Sequence, residues 1–405
     1  MSDANEPATR PLFIIFLTIL VNLIGFGIII PLLPFYAETF GASPLTIGLL
    51  FASFSVAQLI ASPLLGHWSD RWGRRPILIF SLIGTVVSFV LLAIAHSLAM
   101  LFVARIVDGL SGGNITTARA YIGDITTEEN RAKAFGVLGA AFGLGFIIGP
   151  ALGGLFSHIS YTAPIWAAAI ITVVATVLAW IWLPETVHRA HAGAGSPWKA
   201  IREVGGRPRL RLLLGIDFIY WMSFAVYQTA FALFGARRFG FDASHTGYLL
   251  SAFGVLGVFV QGVLVGPVVR RFGARPTLGA GLLLAAAGWS GGALTYSVPV
   301  FVAMLVPSAL GIGLCNATLS ALISNAAAPH EQGRVQGAAG ALESLGRTLG
   351  PIWGNGVLQA FGEGKTFGSA AAFLVGAAVL TSRYHARMTP ADESSRSSLP
   401  TRSSS

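Results

Sequence analysis

"GHWSDRWGRRPI", residues 66–77, packs Asp70, Arg71, Arg74 and Arg75 into six positions, between two nearly uncharged stretches at 45–65 and 77–95. "GPVVRRFGARPT", residues 266–277, repeats the pattern at Gly266, Arg271, Gly273, Arg275 and Pro276. An apolar stretch of about 20 residues crosses a bilayer as a helix. Each charged segment therefore reads as a tight turn joining two membrane helices. Its glycines permit the reversal, and Pro76 suits the first turn of the helix that follows. A turn that returns 200 positions later, from Gly66 to Gly266, reads as duplication.

Composition agrees along the whole chain. Of 405 residues, 54% are hydrophobic and 11% charged, against about 25% charged in soluble domains. Backbone groups in lipid must bond within their own segment, and the apolar runs are continuous, not alternating as in an outer-membrane barrel. The fold class expected is an all-α integral membrane protein. Helices are predicted at about 12–34, 45–66, 76–95, 98–120, 132–156 and 162–183, then at 209–234, 244–267, 276–296, 299–327, 331–360 and 364–382. The first run is too long for a signal peptide, and no small-residue cleavage site follows Pro31 and Pro34.

The net charge of +9 is unevenly placed. With residue 1 inside, the inner loops take Arg10, Arg71, Arg74, Arg75, Arg131, Lys133, Arg207, Arg270 and Arg271, while the outer loops take only Arg237, Arg238 and Lys365. That bias puts both termini in the cytoplasm and assigns the charge to lipid headgroups, not to nucleic acid. The stretch "PETVHRAHAGAGSPWKAIREVGGRP", 184–208, reads as a cytoplasmic linker. The organisation expected is a segment 1–11, a six-helix bundle 12–183, the linker, a second bundle 209–382, and a disordered Ser-rich tail 383–405.

The bundles align at the same offset through Thr46, Leu49, Leu50, Ala52 and Leu64 with Thr246, Leu249, Leu250, Ala252 and Leu264. Parallel repeats of this kind place a substrate site near the bilayer midplane between the halves. Asp70 stands apart, because its counterpart is Arg270.

At these residues the chain resembles the major facilitator superfamily and, within it, the proton-coupled drug exporters. "GHWSDRWGRR" is similar to the superfamily's motif between the second and third helices. "RIVDGLSGG", 105–113, resembles its fourth-helix motif. "GAAFGLGFIIGPALGG", 139–154, resembles the fifth-helix motif of antiporters. "NLIGFGIIIPLLP", 22–34, and "ARAYIGDITTEENRAKAFG", 118–136, resemble the tetracycline exporters. The resemblance implies twelve helices in two pseudo-symmetric bundles around a central cavity, lined chiefly by the first, fourth, seventh and tenth. It implies alternating access and efflux of a small amphiphilic compound against a proton gradient, by a monomer in the cell membrane. Tetracycline exporters carry intramembrane carboxylates in the first, third and ninth helices; the matching positions here are Asn22, Ser88 and Ala285. A sugar or metabolite facilitator, a proton symporter and a non-transporting sensor are the alternatives.

The resemblance makes Gly66, Asp70, Arg71, Gly73, Arg74 and Arg75 a conformational latch, in which the acid holds the cytoplasmic end of the eleventh helix in the outward-open state; a plain turn cap is the other reading. Gly139, Gly143, Gly149, Pro150, Gly153 and Gly154 form a small-residue surface in the fifth helix. Such surfaces let helices approach closely, either at an interface with Gly254, Gly257, Gly262 and Gly266 of the eighth or in ordinary packing. Arg105, Asp108, Asp217, Glu343 and Arg347 lie within predicted spans, where an ionisable group is a functional candidate by default. Arg105 is a cavity cation or a fixed partner of Asp108. Asp217 shares a helical face with Trp221, Phe224 and Gln228, or neutralises linker arginines. Glu343 lies roughly 18 Å along its helix at 1.5 Å per residue, one turn before Arg347. The two are a permanent pair, or a movable one in which Glu343 carries the proton. Asn22, Asn114, Gln228, Asn316 and Ser320 line the cavity or bond helix to helix, and Thr116 is a further cavity candidate.

"GLSGG", 109–113, matches a serine-hydrolase pattern, but a serine nucleophile needs a base within reach and a strand–turn–helix setting. All eight histidines fall at predicted helix ends, in loops or in the tail. An enzyme is not expected. No phosphate-binding P-loop is present, so the expected energy source is an ion gradient, with no cofactor and no metal. Cys315 is the single cysteine and reads as a small buried hydrophobe.

Overall fold

The computed structural model describes residues 9–112, 114–186, 206–328 and 331–386. Most of the segment 1–11, the greater part of the linker and the tail from 387 lie outside the described residues, as does the side chain of Asn114. The described residues are helical, with no strand among them. They form twelve crossings, here α1 Thr9–Glu38, α2 Pro44–Trp72, α3 Arg74–Ala93, α4 Leu98–Ile125, α5 Glu128–Ser157, α6 Ala163–Trp182, α7 Pro208–Phe239, α8 Ala243–Phe272, α9 Ala274–Leu294, α10 Val298–Asn325, α11 Gln332–Phe361 and α12 Glu363–Ala386. Eleven are apolar and long enough to cross a membrane. The exception is α11, which holds Arg334, Glu343 and Arg347.

Local chemistry sets the boundaries. Ser43 starts α2 by accepting from the Thr46 N–H, with Pro44 at the first helical position. Asp242 starts α8 by accepting from the His245 N–H at 2.8 Å. These are ordinary N-caps, which satisfy donors that a helix start leaves unpaired. Pro31 and Pro34 lie inside α1 without ending it.

Three expectations need correction. The charged turn between α2 and α3 is one residue long: Asp70 and Arg71 are still helical, Arg74 already is, and only Gly73 lies between. Gly73 has φ 111° and Gly273 φ 83°, a region open to glycine and strained for other residues, so the chain reverses without a loop. Secondly, α4 is two segments, Leu98–Ser111 and Asn114–Ile125. Ser111 ends the first and donates its hydroxyl to the Val107 carbonyl at 2.8 Å. Thirdly, α8 carries a π-turn at Val260–Leu264.

The head of the linker is held by the first half. Tyr121 donates to the Pro184 carbonyl at 2.9 Å, and Glu185 accepts from the Arg74 N–H at 2.8 Å. Residues 184–186 therefore dock on the first half and do not belong to a free linker.

The halves meet through α2 against α11, α5 against α8, and α1 against α7 and α8. An apolar core shared by both halves joins Ile28, Leu50 and Phe51 to Leu233, Ala243 and Leu358.

Candidate functional site: an asymmetric cleft between the halves

The contacts between halves crowd toward one face, the one opposite the arginine turns. There the small residues let backbones touch. A Cβ on Gly247 would strike the Pro150 carbonyl, one on Gly48 the Pro351 carbonyl, one on Gly154 the Ser244 carbonyl at 3.0 Å, and one on Gly254 the Phe146 carbonyl at 2.8 Å. Hydrogen bonds cross the same seam. Ser244 donates to the Gly154 carbonyl at 2.7 Å, Ser251 to the Ile147 carbonyl at 2.7 Å, and the Leu45 N–H to Gln359 Oε1 at 3.1 Å. Toward the arginine face the seam opens. A Cβ on Gly66, Gly139, Gly262, Gly337 or Gly340 would meet nothing within 4 Å. A cavity of about 440 Å³ lies there, lined by Arg119, Phe135, Leu138, Gly139, Phe142 and Gln336 from α4, α5 and α11.

The fifth-helix motif thus serves two neighbours. Gly145, Gly149 and Gly153 seat α1 within the same half, with Ile24 O at 2.7 Å from a Cβ on Gly149 and Ile28 O at 2.9 Å from one on Gly153. Gly143, Pro150 and Gly154 face α8 across the seam. Of the α8 partners expected, Gly254 is in the interface. A Cβ on Gly257, Gly262 or Gly266 would meet no atom of α5; Gly257 lies toward Gly313 of α10, and α8 meets α5 at Gly247, Gly254 and Val258.

At the arginine face Asp70 pairs with Arg74, whose Nη1 also donates to Ser69 Oγ at 3.1 Å. Arg74 Nε donates to Asp124 at 3.0 Å. Glu185 accepts from the backbone N–H groups of Arg74 and Arg75, at 2.8 and 3.2 Å, and so occupies the positive end of α3. Arg75 donates to the Trp180 carbonyl at 2.5 Å, and Arg71 is exposed. Every partner seen for Asp70 belongs to its own half. Asp124 and Glu185 were not singled out from the sequence; Asp124 sat unremarked inside a quoted motif and Glu185 at the head of the linker. In the second half, Arg207 holds Glu331 with two bonds of 2.6 Å at the start of α11.

The five ionisable residues singled out within the spans, Arg105, Asp108, Asp217, Glu343 and Arg347, form two groups. Arg105 is fully buried. It donates to Asp108 at 2.8 Å and lies 4.3 Å from the Phe54 ring centroid, with Nε and Nη2 lacking a partner among the described residues. Gly109 and Gly112, spaced from Arg105 by one and two helical turns, face α2 and not the cavity, since a Cβ on Gly109 would meet Ala57 at 2.7 Å and one on Gly112 Gln58 at 2.8 Å. Thr116, beyond the break in α4, is exposed. The second group joins α7 to α11. Glu343 and Arg347 pair at 3.0 Å, and Arg347 lies 5.1 Å from the Trp221 ring centroid. Asp217 is buried within electrostatic reach of both, and is not paired to Arg207, which Glu331 holds. Trp221 and Phe224 pack edge to face at 5.9 Å.

Asn22, Gln228 and Asn316 are half-buried, Ser320 is exposed, and none makes a hydrogen bond among the described residues. No helix-to-helix hydrogen bond is therefore seen for them among the described residues. Ser88 is buried and donates to the Ala104 carbonyl at 3.0 Å, while Ala285 is sealed between α9 and α10. No three His, Cys, Asp or Glu among the described residues converge on a metal site.

The sequence matches the family model described as Major Facilitator Superfamily over residues 15–351 and again over 213–403. It is 32% identical over 381 residues to the class C tetracycline resistance protein of Escherichia coli, covering 92% of this chain and 95% of that one. It is 31% identical to Multidrug resistance protein 2 of Bacillus subtilis, covering 86% and 89%. Among solved structures, a bacterial homologue of the human lysosomal transporter Spinster, inward-facing and occupied, superposes with a TM-score of 0.80 at 17% identity, covering 95% of this chain and 98% of that one.

Proposed function

We propose that this chain, which belongs to the major facilitator superfamily, is a secondary active exporter of small amphiphilic organic compounds, working by alternating access and driven by protons entering the cell. The observation that carries this reading is the asymmetry of the seam. One face is sealed by backbone contacts between glycines and carbonyls, while the other opens on a cavity of about 440 Å³. With the arginine turns in the cytoplasm, the cleft faces inward and is ready to load. The direction of transport follows the relatives named for tetracycline and multidrug resistance.

Export against a gradient needs a group that is neutral in one conformation and charged in the other. Glu343 is our first choice, because its pairing with Arg347 lies inside the open cleft and can break; Asp217 and Asp108 are the reserves. Asp70 acts as the latch of the opposite state. In this conformation it is turned to Arg74, and closing the arginine face would bring α11 to it. Chelated metal is a poor substrate here. Ser88 and Ala285 are packed away and Asn22 is uncharged, so these positions offer no carboxylate to a chelate.

The chain works as a monomer in the cell membrane with both termini inside. Proteoliposomes holding a pH gradient test the scheme. Adding a transported amphiphile such as ethidium should release protons, read by an entrapped pH dye. Flux indifferent to both pH gradient and membrane potential would refute antiport and leave a uniporter.

A further inference from the structure

We propose that Asp217, Trp221 and Glu343 form a cation-recognition site that Arg347 itself occupies in this conformation, and that its external ligand is an aromatic or amphiphilic organic cation. The proposal rests on the export reading for the ligand's role as cargo, but not for its binding.

Helix geometry brings the site into the cleft. Gln336, Glu343 and Arg347 are separated by 7 and 11 residues, which at 100° per residue puts all three within about 20° of one line on α11. Gln336 already lines the cavity between the halves, so the pair lies further along the same wall. Asp217, Trp221, Phe224 and Gln228 fall on one face of α7 by the same spacing. The two faces are locked side by side. A Cβ on Gly346 would lie 3.2 Å from Trp221 Cβ and 2.9 Å from the Met222 nitrogen, and one on Gly350 would lie 2.8 Å from Ala225 Cβ.

The site has the chemistry of a cation binder. A guanidinium already lies 5.1 Å from the Trp221 centroid and 3.0 Å from a carboxylate. That is the arrangement in which a ring face and an anion together hold a cation. It also holds two carboxyl groups against one cation: Asp217 and Glu343 face a single Arg347, and Asp217, 6% exposed, makes no ion pair among the described residues. Phe224, half-buried and edge to face with Trp221 at 5.9 Å, extends the aromatic wall, with the buried Tyr220 stacked behind it at 6.4 Å. The occupant is not locked in, because the Arg347 and Glu343 side chains are 37% and 27% exposed. An incoming cation with an apolar body takes the place on Trp221, Arg347 swings away, and Glu343, released from Arg347, pairs with the new charge. Asp108 of the first half does not offer the same site, since it is buried and already paired with Arg105.

Calorimetric binding to the purified full chain, without any gradient, tests this. The probes are tetraphenylphosphonium and the nearly isosteric anion tetraphenylborate. The phosphonium should bind, and Arg347→Gln should tighten it about tenfold, about 1.4 kcal/mol, while borate gains nothing. Trp221→Leu on that background should remove the gain. Arg347→Lys, which keeps the charge but stacks poorly, should give a smaller gain and serves if the Gln variant does not fold. An affinity unchanged or weakened by vacating Arg347, or an equal gain for borate, would overturn the proposal. Flux assays separate the two ideas. Binding as stated without uphill transport overturns only the export reading, and uphill transport by a protein with no preference for the cation overturns only this one.

Discussion

Gly247→Ala isolates the physics of the sealed face. A Cβ there would press on the Pro150 carbonyl and sit 2.8 Å from the Gly154 Cα. Comfortable carbon–carbon contact is about 3.5–4.0 Å, so α5 and α8 would have to part by about 1 Å. Both obstacles are backbone and cannot rotate away. Overpacking of this kind costs about 1–3 kcal/mol. The gain in helix propensity from Gly to Ala, about 0.8–1.0 kcal/mol, is the same in both conformations and cancels in their ratio. The clash exists only when this face is sealed, so the balance should move toward the outward-open form by about 5- to 140-fold at 1.4 kcal/mol per tenfold. The assay is the thiol-labelling rate of Ala232→Cys, a buried position packed against first-half residues in the shared core, with Cys315 replaced by serine. Gly279→Ala, where a Cβ meets nothing within 4 Å, is the control. Equal labelling rates in Gly247→Ala, the control and the parent would refute the claim that glycine-to-carbonyl contact holds the face shut.

Three further expectations concern the polar groups. Asp70→Asn should leave folding intact, since Arg74 keeps Asp124 at 3.0 Å, yet should slow transport and reduce outward-open labelling; unchanged flux and labelling would leave Asp70 a turn cap only. Glu343→Gln combined with Arg347→Gln removes the pair without stranding a charge. That variant should fold and exchange substrate downhill but lose uphill export, and near-normal uphill export would move the proton to Asp217 or Asp108. Glu185→Gln should cost about 1 kcal/mol, the scale of a carboxylate at a helix start, seen as a lower thermal midpoint; an unchanged midpoint would show that Glu185 does not anchor α3.

Much of the architecture was legible in the residues because lipid leaves few options. Backbone that cannot bond to water must be helical, so apolar runs of membrane length announce their own crossings, and the arginine turns mark one face at 66–77 and again at 266–277. Glycine density in α5 was likewise readable as close approach. Which neighbour each glycine approaches was not. Gly149 and Gly153 seat α1 while Gly154 seats α8, and that division depends on how helices distant in sequence cross. The same holds for charge. Glu343 and Arg347 are one helical turn apart and could be paired from spacing alone. Asp124 and Glu185 reach Arg74 over 50 and 111 residues, and no local pattern encodes such a contact. The π-turn of α8, whose Val260 packs on Gly313 of α10, and the choice of which face is sealed lie in contacts between helices distant in sequence. Composition and period settle what each segment is, whereas the open cleft and the company its side chains keep are decided only when twelve helices compete for the same space.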